Sequence, residues 1–290
     1  MSIRRLVFKT GFLFIFCFLF QIILTHPDVH SQESKKILNL TIIPHRSNLG
    51  NEKAYESFIK YLEAETGIEV QWKGSKSYSD VIEKLKTKDA DIGYVGPFAY
   101  VEAQDNFGVR LICRTLSSKS VEFYHSMIIT RKDSGANTLQ DLKGKSFSFT
   151  DPKSTSGFLF PMSQFKKSGI QIEDFSKVSY VKRHANSLLS VYNGNSYAGA
   201  TSYTAIDKVN INFDEIKILW KSDPIYRGPW IAEKAMPDEL FLKIQTAMLK
   251  ISNHTDAENI FKGLTTKGFV KGHDSDYNNV REVVKSMLQK

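Results

Sequence analysis

Hydrophobic residues recur along the chain with two alternating periods, which predict strands and helices in turn. Apolar residues at helical spacing between the first two predicted strands, with Gly67 after them, are typical of an amphipathic helix that ends at the glycine. The first three predicted strands run from Ile37 to Ile43, from Ile68 to Trp72 and from Asp91 to Val95, the last ended by Gly96-Pro97. Strands separated by helices over this short distance predict βαβ units and a mostly parallel sheet.

This rhythm is interrupted once and then resumes. Two extended runs, from Val109 to Leu116 and from Glu122 to Thr130, follow each other with only a short Ser/Lys connection. Later strands are predicted from Phe147 to Thr150, Lys177 to Val181, Tyr197 to Thr201 and Ile216 to Trp220, with helices starting near Ser156, His184 and Ser202. The remainder is predicted to be helical, from Pro237 to Ile251, from Asp256 to Leu264 and from about Asp276.

The order of elements predicts two α/β lobes joined by two extended crossings, near residues 112–128 and 218–230. We expect lobe 1 to comprise residues 32–118 and 226–290, and lobe 2 to be an insertion of residues 119–225. Ligands of open α/β sheets bind beyond the carboxyl ends of the strands, so a cleft between the lobes is the expected binding site.

The N-terminus has the pattern of a secretory signal peptide. Arg4, Arg5 and Lys9 precede an apolar run from Phe12 to Leu24, and small residues follow. The run is shorter than the ~20 residues that span a bilayer, so we expect cleavage after residue 31 and export to the periplasm rather than a retained anchor. Cys113 is then the single remaining cysteine, which excludes an internal disulfide and a thiolate metal cluster.

The formal net charge of +8 fits an anionic ligand, a nucleic acid or an acidic membrane surface. Export argues against nucleic acid. The seven histidines are scattered and show no metal-ligand spacing, so we expect no metal and no cofactor. We expect a monomer.

The segment Asp151-Pro152-Lys153-Ser154-Thr155-Ser156-Gly157-Phe158 carries the strongest indication of chemistry. It is predicted to lie where a strand end opens into a helix. The first N–H groups of a helix lack intrahelical partners, and with three hydroxyls beside them they form a cradle for a tetrahedral oxyanion. We expect Gly157 to let the backbone approach a ligand closely. An ordinary Ser/Thr helix cap is the alternative interpretation.

Candidate pocket residues, most of them polar, recur at the other strand-to-helix turns. They are Tyr78, then Tyr94, Gly96 and Phe98 at the end of the third strand, Tyr124 on a crossing, His184 at a helix start, and Thr201, Ser202, Tyr203 and Thr204 after a later strand. Each has an ordinary alternative as a core tyrosine or a helix cap. Together they favour a pocket.

These residues resemble the PhnD-like phosphonate, phosphite or phosphate substrate-binding proteins of ABC importers. The likeness rests on the Asp-Pro-x-Ser-Thr-Ser-Gly motif and covers most of the chain, through Ser77 to Ile82, Asp91 to Pro97, Tyr124 to Ser126, Leu139 to Lys145, His184 to Asn186 and Trp220 to Ser222. It implies a two-lobe α/β fold of the type II periplasmic-binding-protein class, each lobe a mixed, mostly parallel sheet flanked by helices, with two crossover strands. The implied partners are a small phosphorus oxyanion and the membrane subunits of an importer.

In that family the phosphorus group is held by the Ser-Thr-Ser turn, a tyrosine of the first lobe, the crossover tyrosine and the histidine. The resemblance therefore assigns ligand binding to Ser154, Thr155, Ser156, Tyr78, Tyr124 and His184. Tyr94, Gly96, Phe98, Ser202 and Tyr203 complete the expected ligand-binding set at the neighbouring turns. No catalytic residue is expected.

The chain departs from the family where aminophosphonate binders carry acidic side chains. Thr204 and Gly228 stand at those positions, and Tyr197 stands where an aspartate is common. Without a carboxylate to pair it, a buried ammonium group would be costly, so an unsubstituted oxyanion or a short alkyl or aryl phosphonate is favoured. Phe98, Tyr203 or Tyr226 would contact such a substituent.

Three other functions remain open at this stage. A sensor module could use the same clamp to pass occupancy to a membrane receptor or kinase. A hydrolase using Ser154 or Ser156 with His184 is disfavoured by the lack of a Gly-x-Ser-x-Gly elbow and of an assignable carboxylate. A membrane-surface protein would result if the apolar leader were retained.

Overall fold

Two mixed sheets form the frame of the computed structural model, which describes residues 37–44, 48–264 and 266–289. The predicted signal peptide lies outside the described residues. The strands are β1 Ile37–Ile42, β2 Glu69–Trp72, β3 Ile92–Tyr94, β4 Val109–Thr115, β5 Phe123–Tyr124, β6 Ser126–Arg131, β7 Ser146–Phe149, β8 Lys177–Tyr180, β9 Ala198–Ser202, β10 Ile216–Lys221, β11 Ile225–Tyr226, β12 Pro229–Glu233 and β13 Phe269–Val270. The helices are α1 Asn48–Thr66, α2 Tyr78–Thr87, α3 Pro97–Asn106, α4 Phe160–Lys167, α5 His184–Tyr192, α6 Asp238–Lys250, α7 Ala257–Leu264 and α8 Asn278–Leu288.

The first sheet has six strands in the order β13-β4-β12-β3-β1-β2. Strand β1 runs parallel to β2 and β3, because helices α1 and α2 return the chain to the same end of the sheet. Strands β4, β12 and β13 join the sheet by antiparallel pairing. Its core packs around Phe58 and Trp230, whose rings lie 5.2 Å apart. We call this sheet with its helices lobe 1.

The second sheet has five strands in the order β10-β6-β9-β7-β8, and we call it with its helices lobe 2. Strand β7 runs parallel to β8 and β9, whereas β6 runs antiparallel to β9 and β10. A cluster of phenylalanine rings fills its core, with the Phe147 ring 5.2 Å from that of Phe165 and 5.0 Å from that of Phe175. The mixed sheets agree with the prediction.

The parallel share of each sheet is smaller than expected. Two of the five pairings in the first sheet and two of the four in the second are parallel. Strands that enter a lobe from the other lobe have no helical crossover in front of them, so they add to the sheet in the opposite direction. The predicted βαβ rhythm therefore holds only within each lobe.

The chain passes between the two sheets twice, after β4 and after β10. Both passages were predicted. They pair with each other as a two-stranded antiparallel ribbon, in which Tyr124 lies opposite Ile225 and Phe123 opposite Tyr226. The described residues group as one compact unit, so the two lobes lie in contact.

Four local predictions were wrong. Helix α3 was missed, because Gly96-Pro97 was interpreted as a terminator, whereas proline occupies the first turn of a helix. Strand β12 was missed because its flanking residues were assigned to a crossing, and the predicted strand from Glu122 to Thr130 is divided at His125. The helix expected near Ser202 is a 3-10 turn, Tyr203–Lys208.

Within the described residues, no helix combines the length and the hydrophobicity needed to cross a bilayer.

Candidate ligand-binding site

A cavity of about 70 Å³ lies between the two lobes, beside the ribbon that joins them. A buried water needs roughly 10–15 Å³ by the same measure, so the cavity has room for a small ligand. Its described lining residues are Ile43, Tyr78, Tyr94, Gly96, Pro97, Thr115, Tyr124, Ser154, Thr155, Ser156, His184, Ser202, Thr204, Arg227, Gly228, Leu264 and Thr266. Nine of the eleven predicted ligand residues are among them.

The Ser-Thr-Ser corner follows strand β7 and begins the helix that leads into α4. Ser154 has extended backbone angles and acts as the cap, since its Oγ accepts a hydrogen bond of 3.0 Å from the backbone N of Gly157. The turn Thr155–Leu159 is a π-helix, a form that is often found at functional sites. All three hydroxyl residues of the corner are buried and line the cavity.

Gly157 is required by packing against Thr150. A Cβ at position 157 would lie 2.1 Å from Oγ1 and 2.3 Å from Cβ of Thr150, distances at which no side chain fits. The sequence-based reason for this glycine was a close approach to a ligand. The structure gives a different reason, because the space that a side chain would take is filled by the fully buried Thr150.

The corner also makes direct contacts across to lobe 1. Oγ1 of Thr155 accepts a hydrogen bond of 2.9 Å from the backbone N of Phe98. Lys153 Nζ lies 2.6 Å from Oε1 of Glu102 on helix α3, and the carboxylate of Asp151 accepts from the backbone N–H of Tyr78. The segment that carries the hydroxyls therefore holds the two lobes together in a closed arrangement.

Two tyrosines reach the corner, the buried Tyr78 from lobe 1 and the half-buried Tyr124 from the ribbon. Burial raises the pKa of Tyr78 far above its usual value, and the nearby negative charge of Asp151 adds to the shift. Burial likewise raises the pKa of Tyr124, whose hydroxyl is hydrogen-bonded with Thr155 and Ser156, although these bonds act in the opposite direction. Both phenols are therefore protonated at neutral pH and can donate hydrogen bonds.

His184 is the first residue of helix α5 and faces the same corner. Its Nδ1 lies 3.3 Å from Oγ1 of Thr150, and its Nε2 lies 3.5 Å from Oγ of Ser154. The helix start is fixed from strand β9, because Oγ1 of Thr201 donates a hydrogen bond of 3.0 Å to the carbonyl of His184. A ring nitrogen of the histidine is thus positioned beside the capping hydroxyl.

Two predicted ligand residues are not brought to the cavity. The side chain of Tyr203 is 53% exposed, because it follows the inward-facing Ser202 and turns outward with the 3-10 segment. Phe98 contributes its backbone N–H to Thr155, while its ring lies 5.8 Å from the ammonium group of Lys153 and outside the lining. Neighbours in sequence point in different directions here, which the motif alone could not reveal.

Several lining residues were missed as ligand candidates. Thr204 was among the turn residues that favoured a pocket but was left out of the ligand-binding set, and Gly228 was noted only as a departure from the family. Both line the cavity, and the Thr204 hydroxyl is 2.7 Å from that of Ser202. Arg227 and Thr115 gave no local signal. They reach the cavity because the ribbon and the antiparallel pairing of β4 with β12 bring distant segments together.

The lining carries one permanently positive side chain and no negative ones among its described residues. It contains the guanidinium of Arg227 and the imidazole of His184, and none of its described residues is an aspartate or a glutamate. Within the part of the chain that the structure describes, no group of three or more His, Cys, Asp or Glu residues could hold a metal ion. Hydroxyl, phenol and guanidinium donors suit an anion.

Comparisons with known proteins agree on one family. The family model described as an ABC transporter phosphonate periplasmic substrate-binding protein matches residues 40–277. The chain is 30% identical to the phosphate-import protein PhnD of Mycolicibacterium smegmatis, over 85% of this chain and 84% of that protein. It is 26% identical to the phosphonates-binding periplasmic protein of Escherichia coli, over 88% and 78% of the two chains.

The fold is similar to that of solved structures from the same group. The PhnD1 protein of Prochlorococcus marinus, solved in complex with methylphosphonate, superposes with a TM-score of 0.77. The match covers 87% of this chain and 98% of that one, at 20% identity. This likeness supports the two-lobe fold.

Proposed function

Because this chain belongs to the family of periplasmic substrate-binding proteins of phosphonate ABC transporters, we propose that its interlobe cavity captures a small phosphorus oxyanion, such as a phosphonate, phosphite or phosphate, for delivery to an importer. The observation that carries this proposal is the buried Ser-Thr-Ser corner, which faces the tyrosines of the opposite side across a small cavity without carboxylates. The family description names a transport component, which favours import over the sensor interpretation.

The donors around the cavity account for anion binding. Hydroxyls of Ser154, Thr155 and Ser156 and the phenols of Tyr78 and Tyr124 each supply a donor, and His184 supplies a ring N–H. Hydrogen bonds to a charged group contribute about 1.5–3 kcal/mol each to stability or binding. Several such bonds, made in a site closed to water, are enough for specific capture.

Contacts from one segment to both lobes would couple binding to closure. The residues 151–157 carry the hydroxyls and also bond to Phe98 and Glu102 of lobe 1. An oxyanion that bonds to the corner and to Tyr78 would add further bonds to the closed form alone, and so would favour it. The proposed hinge is the ribbon of β5 and β11, with lobe 1 formed by residues 32–118 and 226–290 and lobe 2 by residues 119–225.

The same site would bind its ligand without converting it. Nε2 of His184 lies 3.5 Å from Oγ of Ser154, but that Oγ is engaged as a helix cap, and Nδ1 of His184 lies beside the hydroxyl of Thr150 rather than beside a carboxylate that would orient the ring for catalysis. This arrangement supports holding an anion rather than activating a serine. In the proposed cycle the mature protein is a monomer, exported with cleavage of residues 1–31, and releases its ligand to the importer.

Isothermal titration calorimetry of the mature protein tests the proposal. The panel is phosphate, phosphite, methylphosphonate, 2-aminoethylphosphonate and sulfate. At least one phosphorus oxyanion should bind with a stoichiometry of one. Ser156→Ala and His184→Ala should each weaken that ligand about 10- to 100-fold, from the loss of a charge-assisted hydrogen bond.

Matched controls separate the site from general effects. Ser163 is a buried helical serine on α4 that does not line the cavity, and the ring of His254 packs 5.2 Å from Tyr61 in lobe 1. Ser163→Ala and His254→Ala should leave affinity unchanged. If Ser156→Ala and His184→Ala both bound the ligand as tightly as the wild type, or if the wild type bound sulfate alone, the proposal would be contradicted.

A further inference from the structure

Arg227 carries the one guanidinium among the described lining residues, which include no lysine, and the structure provides it with no anionic partner there. The residue is half-buried, its Nε is buried and makes no hydrogen bond, and no ion pair holds its guanidinium within the described ranges. A buried charged donor without a partner is costly, by more than a neutral group would be. Such a residue in a ligand cavity indicates a partner on the ligand.

A second arginine nearby, Arg114, differs from Arg227 because its guanidinium forms ion pairs with two carboxylates. Nη2 of Arg114 lies 2.7 Å from Oε2 of Glu122, and its Nε faces Oδ2 of Asp276 at 2.9 Å, as an ion pair without good hydrogen-bond alignment. Its guanidinium also stacks over the ring of Tyr226 at 4.2 Å. The carboxylates of Glu122 and Asp276 therefore pair with Arg114.

The backbone holds Arg227 firmly at the cavity. Its N–H donates a hydrogen bond of 2.9 Å to the carbonyl of Glu122, and its own carbonyl accepts one of 2.9 Å from the hydroxyl of Tyr277. It follows strand β11, whose partner strand carries Tyr124. The positive charge of Arg227 acts on the hydroxyl of Tyr124, since it lowers the pKa that burial raises. The guanidinium therefore lies within electrostatic reach of the donors at the Ser-Thr-Ser corner.

The next residue leaves no room for a negative side chain at this place. A Cβ at Gly228 would lie 2.3 Å from the carbonyl oxygen of Val95 and 2.9 Å from the hydroxyl of Tyr94. The hydroxyls of Ser202 and Thr204, which also line the cavity, bond to each other at 2.7 Å. The charge of Arg227 is thus not balanced by its neighbours in the lining.

We propose that Arg227 is a specificity-determining residue that pairs with a second negative charge on the ligand. The site then prefers doubly charged phosphorus compounds, in which the second charge is carried by the phosphorus group itself or by an acidic substituent. Singly charged esters and zwitterionic aminoalkyl phosphonates bind more weakly, since the ammonium group of the latter faces a guanidinium. This inference rests on the proposed function of the cavity.

The test is calorimetry at pH 8 with four ligands: methylphosphonate, its monomethyl ester, phosphonoacetate and 2-aminoethylphosphonate. The proteins are the wild type, Arg227→Gln, Arg227→Lys and the control Arg131→Gln, whose guanidinium pairs with Asp133 outside the cavity. Arg227→Gln should weaken a doubly charged ligand about 10- to 100-fold and leave the monomethyl ester within about threefold. Arg227→Lys should retain part of the preference for doubly charged ligands, because lysine keeps the positive charge but lacks the paired N–H donors of the guanidinium. Arg131→Gln should change nothing.

The pattern of losses identifies where the second charge lies. A loss with methylphosphonate assigns it to the phosphonate group, and a loss confined to phosphonoacetate assigns it to the substituent. In a third variant of this residue, Arg227→Glu, the preference should reverse, so that the affinity for 2-aminoethylphosphonate rises at least tenfold relative to that for phosphonoacetate. Equal losses for all ligands, or no loss in Arg227→Gln, would overturn the inference while the proposed function stands. Failure of the wild type to bind any phosphorus compound would overturn both.

Discussion

Replacing Gly157 by alanine should disrupt the Ser-Thr-Ser corner without removing any of its hydroxyls, although the added methyl group would also lie 2.9 Å from Oγ of Ser154. Two effects oppose each other at this position. The backbone angle of Gly157 is not in the left-handed region, so alanine is acceptable there, and helix propensity alone would favour it by about 1 kcal/mol. The added methyl group, however, would overlap with the side chain of Thr150 at 2.1 and 2.3 Å.

The overlap outweighs the propensity because the neighbour cannot move away. Thr150 is fully buried and its hydroxyl lies 3.3 Å from both Nδ1 of His184 and the carbonyl of Ala200. Overpacking of a filled core costs about 1–3 kcal/mol. For a protein of this size each kcal/mol lowers the melting temperature by about 2–4 °C. The shift needed to relieve the contact, more than 1 Å, would also displace the hydroxyls of the corner.

Thermal unfolding and calorimetry with the preferred phosphorus ligand check this prediction. We expect Gly157→Ala to lower the melting temperature and to weaken binding at least tenfold. Gly74→Ala is the matched control, since a Cβ there would meet only Nε1 of Trp72 at an ordinary 3.5 Å. Removing the two closest clashing atoms, those of Thr150, in the double variant Thr150→Gly with Gly157→Ala should reveal a coupling of about 0.5–3 kcal/mol. Unchanged stability and affinity in Gly157→Ala would refute the packing argument.

Three further predictions concern closure, tyrosine ionisation and the crossing. A double-mutant cycle of Glu102→Ala and Lys153→Ala should give a coupling of at most about 1 kcal/mol in ligand affinity, because this ion pair between the lobes is partly exposed. The coupling should fall as salt is added, and a coupling that salt does not change would contradict an exposed ion pair that stabilises the closed form. Burial raises the pKa of Tyr78 above 10.0, so the stability that its protonated form contributes is present below pH 10 and is lost as the pH rises further. In urea unfolding from pH 8 to 11, the free energy of unfolding should decline less steeply with pH in Tyr78→Phe than in the wild type. An equal pH dependence in both proteins would count against this assignment. Gly228→Ala would place a methyl group 2.3 Å from the carbonyl oxygen of Val95, so it should lower the free energy of unfolding by about 1–3 kcal/mol in chemical denaturation. An unchanged free energy of unfolding would contradict the close packing of the second crossing against Val95.

The sequence predicted the parts of the site that depend on local chemistry. Ser154 is the cap of a helix that starts beyond a strand, as the order of strand, hydroxyls and glycine indicated. His184 is the first residue of α5, as expected from its place after a strand. These positions follow from the hydrogen-bonding needs of a helix start, which are visible in a few consecutive residues.

The parts that depend on distant segments could not be read from the sequence. Arg227 reaches the cavity only because β11 pairs with β5, over a sequence separation of about 100 residues. Helix α3 was hidden by a Gly-Pro pair that also suits a turn. Phe98 and Tyr203 were assigned with their neighbours, yet Phe98 lies in the first turn of α3 and Tyr203 in a 3-10 segment, where adjacent side chains point in different directions. A motif thus indicates where a site lies better than which side chains enter it.

A crystal structure of the mature protein with methylphosphonate tests the central claim most directly. The account predicts the phosphonate group in the cavity, with its oxygens within hydrogen-bond distance of Ser154, Thr155 and Ser156 from lobe 2 and of Tyr78 from lobe 1. A ligand bound elsewhere, or a saturated crystal with an empty cavity between closed lobes, would contradict it.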